Sequence, residues 1–169
     1  MTNRKHLSFT KKEIFMAIEP HLSSSDIQEL ITQRQKGYDV LSPLEQYAMF
    51  MGKAQILEFN LKGLLLRRFG MEPDKIERKT LGQIKNILKE RGVRPDFISL
   101  LGIVVEYRNE MAHEYLLNAA ITESIANFSE RKLHGILSKA NYELDRIMII
   151  YDWCEEYDGW GIDTTKMAP

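Results

Sequence analysis

Three capping boxes, each just ahead of an amphipathic run, most constrain what this chain can fold into. They occupy residues 10–13, 42–45 and 80–83, with the sequences Thr-Lys-Lys-Glu, Ser-Pro-Leu-Glu and Thr-Leu-Gly-Gln. In such a box the first and fourth side chains bond each other's backbone amides, which fixes the start of a helix. The runs that follow repeat apolar residues about every 3.6 positions, and alternating strand patterns are absent. The sequence therefore predicts an all-α fold.

Apolar spacing and turn residues together set the order of the helices. In the third helix the apolar stripe runs from Leu44 to Leu65, and in the fifth it runs from Phe97 to Leu116. Long helices with short connections typically pack as an up-down bundle. The expected helices cover residues 10–19, 24–36, 43–69, 80–91, 95–117 and 121–157.

The chain should form one domain with additions at both ends. Its 169 residues are enough for a single core. We divide it into an N-terminal helical extension packed on the core (1–40), a helical bundle (41–157) and a C-terminal tail (158–169). Trp160 in the tail can either dock on the bundle or bind a partner, and docking is the favoured interpretation.

Composition excludes several classes of protein. The net charge is −1, so any nucleic-acid contact must come from a local patch. Cys154 is the only cysteine, which leaves no intrachain disulfide or cysteine metal cluster. No apolar run is long enough to span a bilayer, and the N-terminus lacks an apolar signal region. We therefore expect a cytoplasmic protein without a metal, a cofactor or a membrane contact.

The chemistry of the chain is concentrated in residues 106–116, Glu-Tyr-Arg-Asn-Glu-Met-Ala-His-Glu-Tyr-Leu. The bare pattern Arg-x4-His is weak, because roughly one chain in four of this composition contains it by chance. Asparagine after the arginine and tyrosine two residues after the histidine reduce this to roughly one in two thousand. Arginine binds phosphate, histidine transfers protons near neutral pH, and asparagine can orient histidine. The extended pattern therefore indicates an RNA-cleaving site with Arg108, Asn109 and His113 as catalytic residues.

Helical geometry limits how these side chains can act together. Arg108 continues the core-facing stripe, so it either lines a cleft or is paired; Glu58 on the third helix either orients it or is solvated. Asn109 and His113 are four residues apart and share one face. Arg108 and His113 are five apart, which is about 140° around a regular helix. They can hold one phosphate only if the backbone bends near residues 111–112 or a second subunit completes the site. We therefore predict a homodimer around the third and fifth helices.

The predicted reaction needs no metal. The RNA 2′-hydroxyl attacks the adjacent phosphorus, His113 acts as general base or acid, and Arg108 stabilises the charge on the phosphoryl oxygens. The product carries a 2′,3′-cyclic phosphate, and DNA is resistant. Lys62, Arg67 and Arg68 are candidates for a basic rim that binds RNA. Basic residues in the last turn of a helix also complement its dipole, and this second interpretation is favoured.

At these residues the chain resembles the HEPN superfamily (higher eukaryotes and prokaryotes nucleotide-binding), whose helical domains carry Arg-x4–6-His. The longer pattern Arg108-x4-His113-x-Tyr115 looks like the HepT-type toxins of bacterial toxin–antitoxin pairs. The resemblance covers roughly residues 43–150 and is specific only at the motif. It implies a HEPN-like up-down bundle with extra N-terminal helices, a homodimer with the motif at its cleft, and metal-independent RNA cleavage. It also implies a nucleotidyltransferase-type antitoxin that silences the toxin by adenylylating Tyr115.

Other functions are compatible with the same residues. A phage-defence ribonuclease of the superfamily fits as well as a toxin does. A non-catalytic HEPN-like module that binds nucleotides or a protein would keep the fold and Arg108 yet tolerate the loss of His113. A third possibility is a regulatory helical bundle that docks partners through Trp160.

Overall fold

The computed structural model describes residues 22–115 and 128–161, with residues 114, 115 and 128–133 described by their backbone. The expected helix at 10–19 lies outside these ranges, as do the turn before the last helix and the tail beyond residue 161. The described chain is helical and contains no strand, which confirms the all-α prediction. None of the helices in these ranges combines the length and apolarity that crossing a bilayer requires.

Six α-helices, one 3₁₀ helix and one π-helix make up the described chain. The helices that were expected over 24–36, 43–69 and 80–91 are present to within two residues at each end. In chain order the elements are α1 (Ser24–Arg34), a 3₁₀ helix (Tyr38–Val40), α2 (Pro43–Phe69), the single turn α3 (Pro73–Ile76), α4 (Leu81–Glu90), α5 (Pro95–Glu110), a π-helix (Met111–Tyr115) and α6 (Phe128–Tyr157).

Local capping accounts for where the helices begin and end. The Ser42 side chain accepts a hydrogen bond from the Glu45 amide while Glu45 reaches back to the Ser42 amide, and the Thr80 box opens α4 in the same way. The hydrogen bonds from Ser42 also lower the pKa of the Glu45 carboxyl. Gly70 ends α2 with a φ of 60°, a left-handed conformation that favours glycine.

The three long helices alternate in direction around one core. Arg67 in the last turn of α2 pairs with Glu155 in the last turn of α6, so these two helices run parallel. The Arg94 amide at the start of α5 bonds the carbonyl of Trp160, which follows α6, so α5 runs the opposite way. The core is built from their facing apolar side chains, including Leu57, Leu61, Phe97, Leu101, Val104, Leu137, Leu144 and Ile147.

The first half of α2 buries a different face from the predicted stripe. Leu44 was expected in the core, but its side chain is 63% exposed, and Gln46 and Phe50 are buried instead. The Gln46 side chain is satisfied there because its Nε2 donates to the carbonyls of Tyr38 and Leu41, at 2.8 and 3.1 Å. The second half follows the prediction, with buried residues at Ala54, Leu57, Leu61, Leu64 and Leu65.

A buried carboxylate joins the N-terminal segment to the core. Asp145 on α6 accepts hydrogen bonds from Lys53 Nζ on α2 at 2.7 Å and from the Tyr38 hydroxyl at 2.9 Å. The Lys53 ammonium also contacts the Tyr38 hydroxyl. Burial raises the pKa of Tyr38; for Lys53 burial acts in the opposite direction, but hydrogen bonds to Asp145 and Tyr38 raise the pKa overall. Three elements are thus tied together at one charge.

This cluster predicts unequal effects of its two charge removals. Lys53→Met leaves Asp145 buried without a cation and should lower the free energy of unfolding by about 3 kcal/mol. Asp145→Asn should cost less, because the Lys53 side chain is 24% exposed and can turn to water. Urea unfolding at neutral pH measures both, and equal losses would contradict this account.

Lys53 and Tyr38 also predict how the stability of the fold depends on pH. Because the folded-state pKa values of Lys53 and Tyr38 are raised, their stabilisation is complete below about pH 10 and is lost as the pH rises through the folded-state values. Tyr38→Phe removes one of the two titrating groups and also an interaction that raises the pKa of Lys53. The decline in unfolding free energy above about pH 10, measured by urea unfolding, should therefore be smaller in Tyr38→Phe than in the parent.

Trp160 docks on the bundle, as the favoured interpretation expected. Its side chain is fully buried. The indole packs edge-on against Phe97 and Tyr151, with ring centroids 5.2 and 5.5 Å apart, and its Nε1 donates to Glu155 at 3.2 Å. The residue therefore belongs to the core and is not presented to a partner.

Truncating this indole should destabilise the fold substantially. We expect Trp160→Ala to lower the free energy of unfolding by about 3–5 kcal/mol, because it leaves a cavity beside Phe97 and Tyr151. Urea unfolding followed by circular dichroism measures the change without relying on tryptophan fluorescence. The exposed Leu44→Ala is the matched control and should change stability by less than about 0.5 kcal/mol. A loss as small as that of the control would show that the tail is not part of the core.

Candidate functional site

α5 places the motif at the far end of the bundle from Trp160. Phe97, Leu101, Val104 and Met111 follow a helical spacing of three to four residues, and all four are buried. Arg108 falls on the same line between Val104 and Met111, which leaves its side chain half-buried. Burial of the apolar neighbours on both sides holds the start of the arginine side chain at the edge of the core.

The guanidinium of Arg108 has few partners among the described residues, so it remains able to bind an anion. Its Nη1 donates to Asn109 Oδ1 at 3.4 Å, which is long for a hydrogen bond. Within the described ranges it forms no ion pair. Glu58 is not its ion-pair partner, since that carboxylate accepts from Lys62 Nζ at 2.9 Å, one turn further along α2. The structure therefore pairs Glu58 with Lys62 and not with Arg108.

The helix that was expected to continue to residue 117 changes form at the motif. α5 ends at Glu110, and Met111–Tyr115 is a π-helix. A π-turn closes between residues five apart, whereas an α-turn closes between residues four apart. The wider turn rotates His113 back toward the face of Arg108, and it weakens the alignment of His113 with Asn109. The helix is therefore irregular at the residues where a bend was one of the two alternatives considered.

Two further motif residues, Asn109 and His113, are accessible. Both are exposed, and no hydrogen bond joins them within the part of the chain that the structure describes. Asn109 is instead turned toward Arg108. Tyr115 is the last residue of the π-helix, and its modification stays a prediction. A substrate could therefore reach the histidine and the arginine from solvent.

The three candidates for a basic rim are engaged in ion pairs. Arg67 pairs with Glu155 at 2.6 Å, Arg68 pairs with Asp158, and Lys62 pairs with Glu58 as described above. These contacts neutralise the three cations, and the two arginine pairs join α2 to the end of α6. The structure does not present them as free charges along one surface.

Arg67 and Arg68 are also remote from the motif. They lie where α5 begins, since the Arg94 amide bonds Trp160 and Arg68 pairs with the neighbouring Asp158. Arg94 precedes Arg108 by 14 residues, which is about 21 Å of helix. The last turn of α2 therefore does not extend the motif, and a rim that includes it would lie at the opposite end of the bundle.

Other reactive groups do not add to the site. Burial raises the pKa of the Cys154 thiol to about 11, so it is a poor nucleophile near neutral pH. Among the described residues, no three His, Cys, Asp or Glu side chains are grouped so that they could hold a metal ion. The Lys53–Asp145–Tyr38 cluster, which the sequence patterns did not predict, is internally satisfied and joins elements together. The motif is thus the feature from which a function can be argued.

The chain matches no protein-family model, no curated protein and no solved structure.

The extra residue in the π-turn predicts which deletion the fold tolerates. Removing Ala112, which is exposed, should leave an ordinary α-turn and keep the melting temperature within about 4 °C of the parent. Removing Ile103 from the regular part of α5 should abolish cooperative unfolding, because it rotates Met111 and the rest of the helix by about 100°. Circular dichroism melts compare the two. Equal damage by both deletions would contradict a π-turn in solution.

Proposed function

We propose that the chain is a metal-independent endoribonuclease of a toxin–antitoxin or phage-defence system, built on a HEPN-like helical bundle. The observation that carries this proposal is that the half-buried Arg108 forms no ion pair among the described residues. A half-buried guanidinium with one long hydrogen bond to an amide is suited to bind a phosphate, since charge-assisted bonds to an oxyanion are stronger than that contact. The adjacent π-helix brings an exposed histidine toward the same face.

The proposed chemistry is transesterification within the RNA strand. His113 takes the proton of the 2′-hydroxyl as that oxygen bonds to phosphorus, and the bond from phosphorus to the 5′-oxygen breaks. The leaving 5′-oxygen receives a proton, either from the resulting imidazolium or from a second acid. Arg108 stabilises the charge that accumulates on the non-bridging oxygens. The products carry a 2′,3′-cyclic phosphate and a 5′-hydroxyl.

Asn109 has a modified role in this proposal. It was expected to orient His113, but its side-chain oxygen accepts from Arg108. This contact comes from the residue next to Arg108, and it orients the guanidinium before substrate binds. Asn109 is therefore proposed as a positioning residue for Arg108.

Control of the activity is proposed to act at Tyr115. An adenylyl group on that hydroxyl would place a bulky anion two residues from His113, where it would compete with RNA phosphate for Arg108. A nucleotidyltransferase-type antitoxin is the proposed partner. Such a modification would block RNA binding and leave the fold intact.

Cleavage of RNA in the presence of EDTA tests the reaction. Purified protein should cut a mixed pool of tRNA and mRNA to products ending in cyclic phosphate, and His113→Ala should reduce the rate at least about 100-fold. His134→Ala is the matched control, because His134 is an exposed histidine on α6 and should retain the parent rate. Far-UV circular dichroism checks that all three proteins are folded.

A second pair of variants tests the arginine. Arg108→Ala should reduce cleavage to a similar degree, whereas Arg146→Ala should not, because Arg146 is exposed and pairs with Glu143 on the same helix α6. An alternative outcome is that the parent binds RNA without cutting it, with binding unaffected by His113→Ala and weakened by Arg108→Ala. That result would favour a non-catalytic HEPN-like binding module over the nuclease. Cleavage that persists in both motif variants would place the active site elsewhere.

A further inference from the structure

Two cations lie immediately before α4, where the electrostatics of the helix does not account for them. Arg78 and Lys79 precede the Thr80 cap, and the first turn of α4 contains no acidic residue. The N-terminus of a helix carries a partial positive charge, so carboxylates stabilise it and cations do not. Lys89, in the last turn of the same helix, is placed as the dipole favours. Arg78 and Lys79 therefore add to the positive potential at the start of α4 and do not stabilise the helix.

Contacts between α4 and α5 fix the relative direction of these two helices. A Cβ at Gly82 would lie 3.4 Å from the Val105 side chain, and a Cβ at Gly102 would lie 4.0 Å from the Lys85 side chain. Gly82 is thus beside Val105, and Lys85, one turn later on α4, is beside Gly102, one turn earlier on α5. The two helices are therefore antiparallel.

The same pairing places the motif beside the start of α4. It brings Thr80 level with Tyr107, the residue before Arg108. Asn109 lies one turn beyond Val105, on the side of α5 that faces α4. Because Arg108 Nη1 donates to Asn109 Oδ1 at 3.4 Å, the guanidinium is turned toward the start of α4.

The segment that carries the two cations is anchored to the bundle. The Lys62 ammonium on α2 donates to the Glu77 carbonyl at 2.9 Å, and the Lys79 amide donates to the Ile76 carbonyl at 3.0 Å. The Ile76 side chain is buried in the core. These contacts hold the backbone of Arg78 and Lys79 in a defined position next to the end of α5.

Both cations are available to an external anion. Arg78 is exposed and Lys79 is half-buried. Neither forms an ion pair within residues 22–115 and 128–161. The nearest carboxylates, Glu77 in the turn and Glu106 on α5, are exposed and do not pair with them there. This separates the two residues from the rim candidates on α2, which are all engaged in ion pairs.

We infer that Arg78 and Lys79, here called the basic edge, bind the RNA phosphates that adjoin the phosphate held at Arg108. A nucleic-acid strand is a row of anions, so cations placed to one side of Arg108 bind its neighbouring phosphates without competing for the reacting one. That the ligand is RNA rests on the proposed function; the position and availability of the basic edge rest on the contacts of α4 with α5 and α2.

Fluorescence anisotropy tests the basic edge on the full-length chain. The probe is a labelled single-stranded RNA with methylated 2′-oxygens, which the parent cannot cut because the attacking hydroxyl is blocked. The double variant Arg78→Gln, Lys79→Gln should raise the Kd at least about tenfold. Since each phosphate contact of a single strand contributes about 0.7 to the salt dependence of binding, the slope of log Kd against log salt should fall by roughly 1.4.

A second double variant is the matched control. Lys89→Gln, Arg91→Gln removes the same charge from two exposed cations at the opposite end of α4 and should leave both the Kd and the salt slope unchanged. The conservative exchange Arg78→Lys, Lys79→Arg keeps both charges and should bind like the parent. Thermal unfolding of Arg78→Gln, Lys79→Gln should occur at the same temperature as in the parent or higher, because cations have been removed from a helix N-terminus.

Three results would overturn the inference. Unchanged binding by Arg78→Gln, Lys79→Gln would show that the strand does not cross the basic edge. Equal weakening by both double variants would reduce the effect to net charge. Weaker binding accompanied by a clearly lower melting temperature would assign the two side chains to the fold.

Cleavage of unmodified RNA keeps this inference separate from the proposed function. In a nuclease, the basic-edge variant should raise KM about tenfold and leave kcat near that of the parent, since neither side chain contacts the reacting phosphate. Cleavage that needs His113 but is indifferent to the basic edge would end the inference and leave the nuclease intact. Binding that needs the basic edge in a parent that does not cut RNA would leave the basic edge and end the nuclease.

Discussion

The candidate site depends on the burial of apolar residues on both sides of Arg108. Val104 and Met111 are buried one turn before and one turn after it, and each contributes on the order of 1.5–3 kcal/mol by leaving water. Those contributions fix the rotation of α5, and the rotation in turn holds an arginine at the margin of the core. Burying an unpaired guanidinium completely would cost more free energy than the burial of these two side chains contributes. The guanidinium therefore stays half-buried, and its charge remains available to an external anion.

Asp145 shows the opposite treatment of a buried charge. Its carboxylate accepts from Lys53 and Tyr38, so the charge is satisfied within the chain by groups from two other elements. A charge with this many partners supports the fold and has no capacity left for a ligand. Arg108, whose contact with Asn109 is long, has that capacity. The difference between the two environments, more than residue identity, separates a structural charge from a candidate functional one.

The features that the sequence predicted well are those set by neighbouring residues. Capping boxes at Ser42 and Thr80 act over three positions, and they start α2 and α4 as expected. The burial of Gln46 was not predictable, because it depends on the carbonyls of Tyr38 and Leu41, which arrive there only when the preceding turn folds.

The candidate site shows the same limit. Its residues could be named from the sequence, but their geometry could not be fixed, because the π-turn adds one residue without breaking the apolar spacing on either side of it. The partner of Glu58 could not be read from the apolar spacing either. Glu58 was expected either to orient Arg108 or to be solvated, and it pairs instead with Lys62, one turn along the same helix. Arg67 and Arg68 were assigned a local role, whereas their partners lie about 90 residues later in the chain.

The π-turn changes what a second copy would have to contribute to the candidate site. In a regular helix Arg108 and His113 would diverge, and a composite site would then be a geometric necessity. The π-turn reduces that divergence, so a second copy is no longer a geometric requirement for bringing the two side chains toward one face.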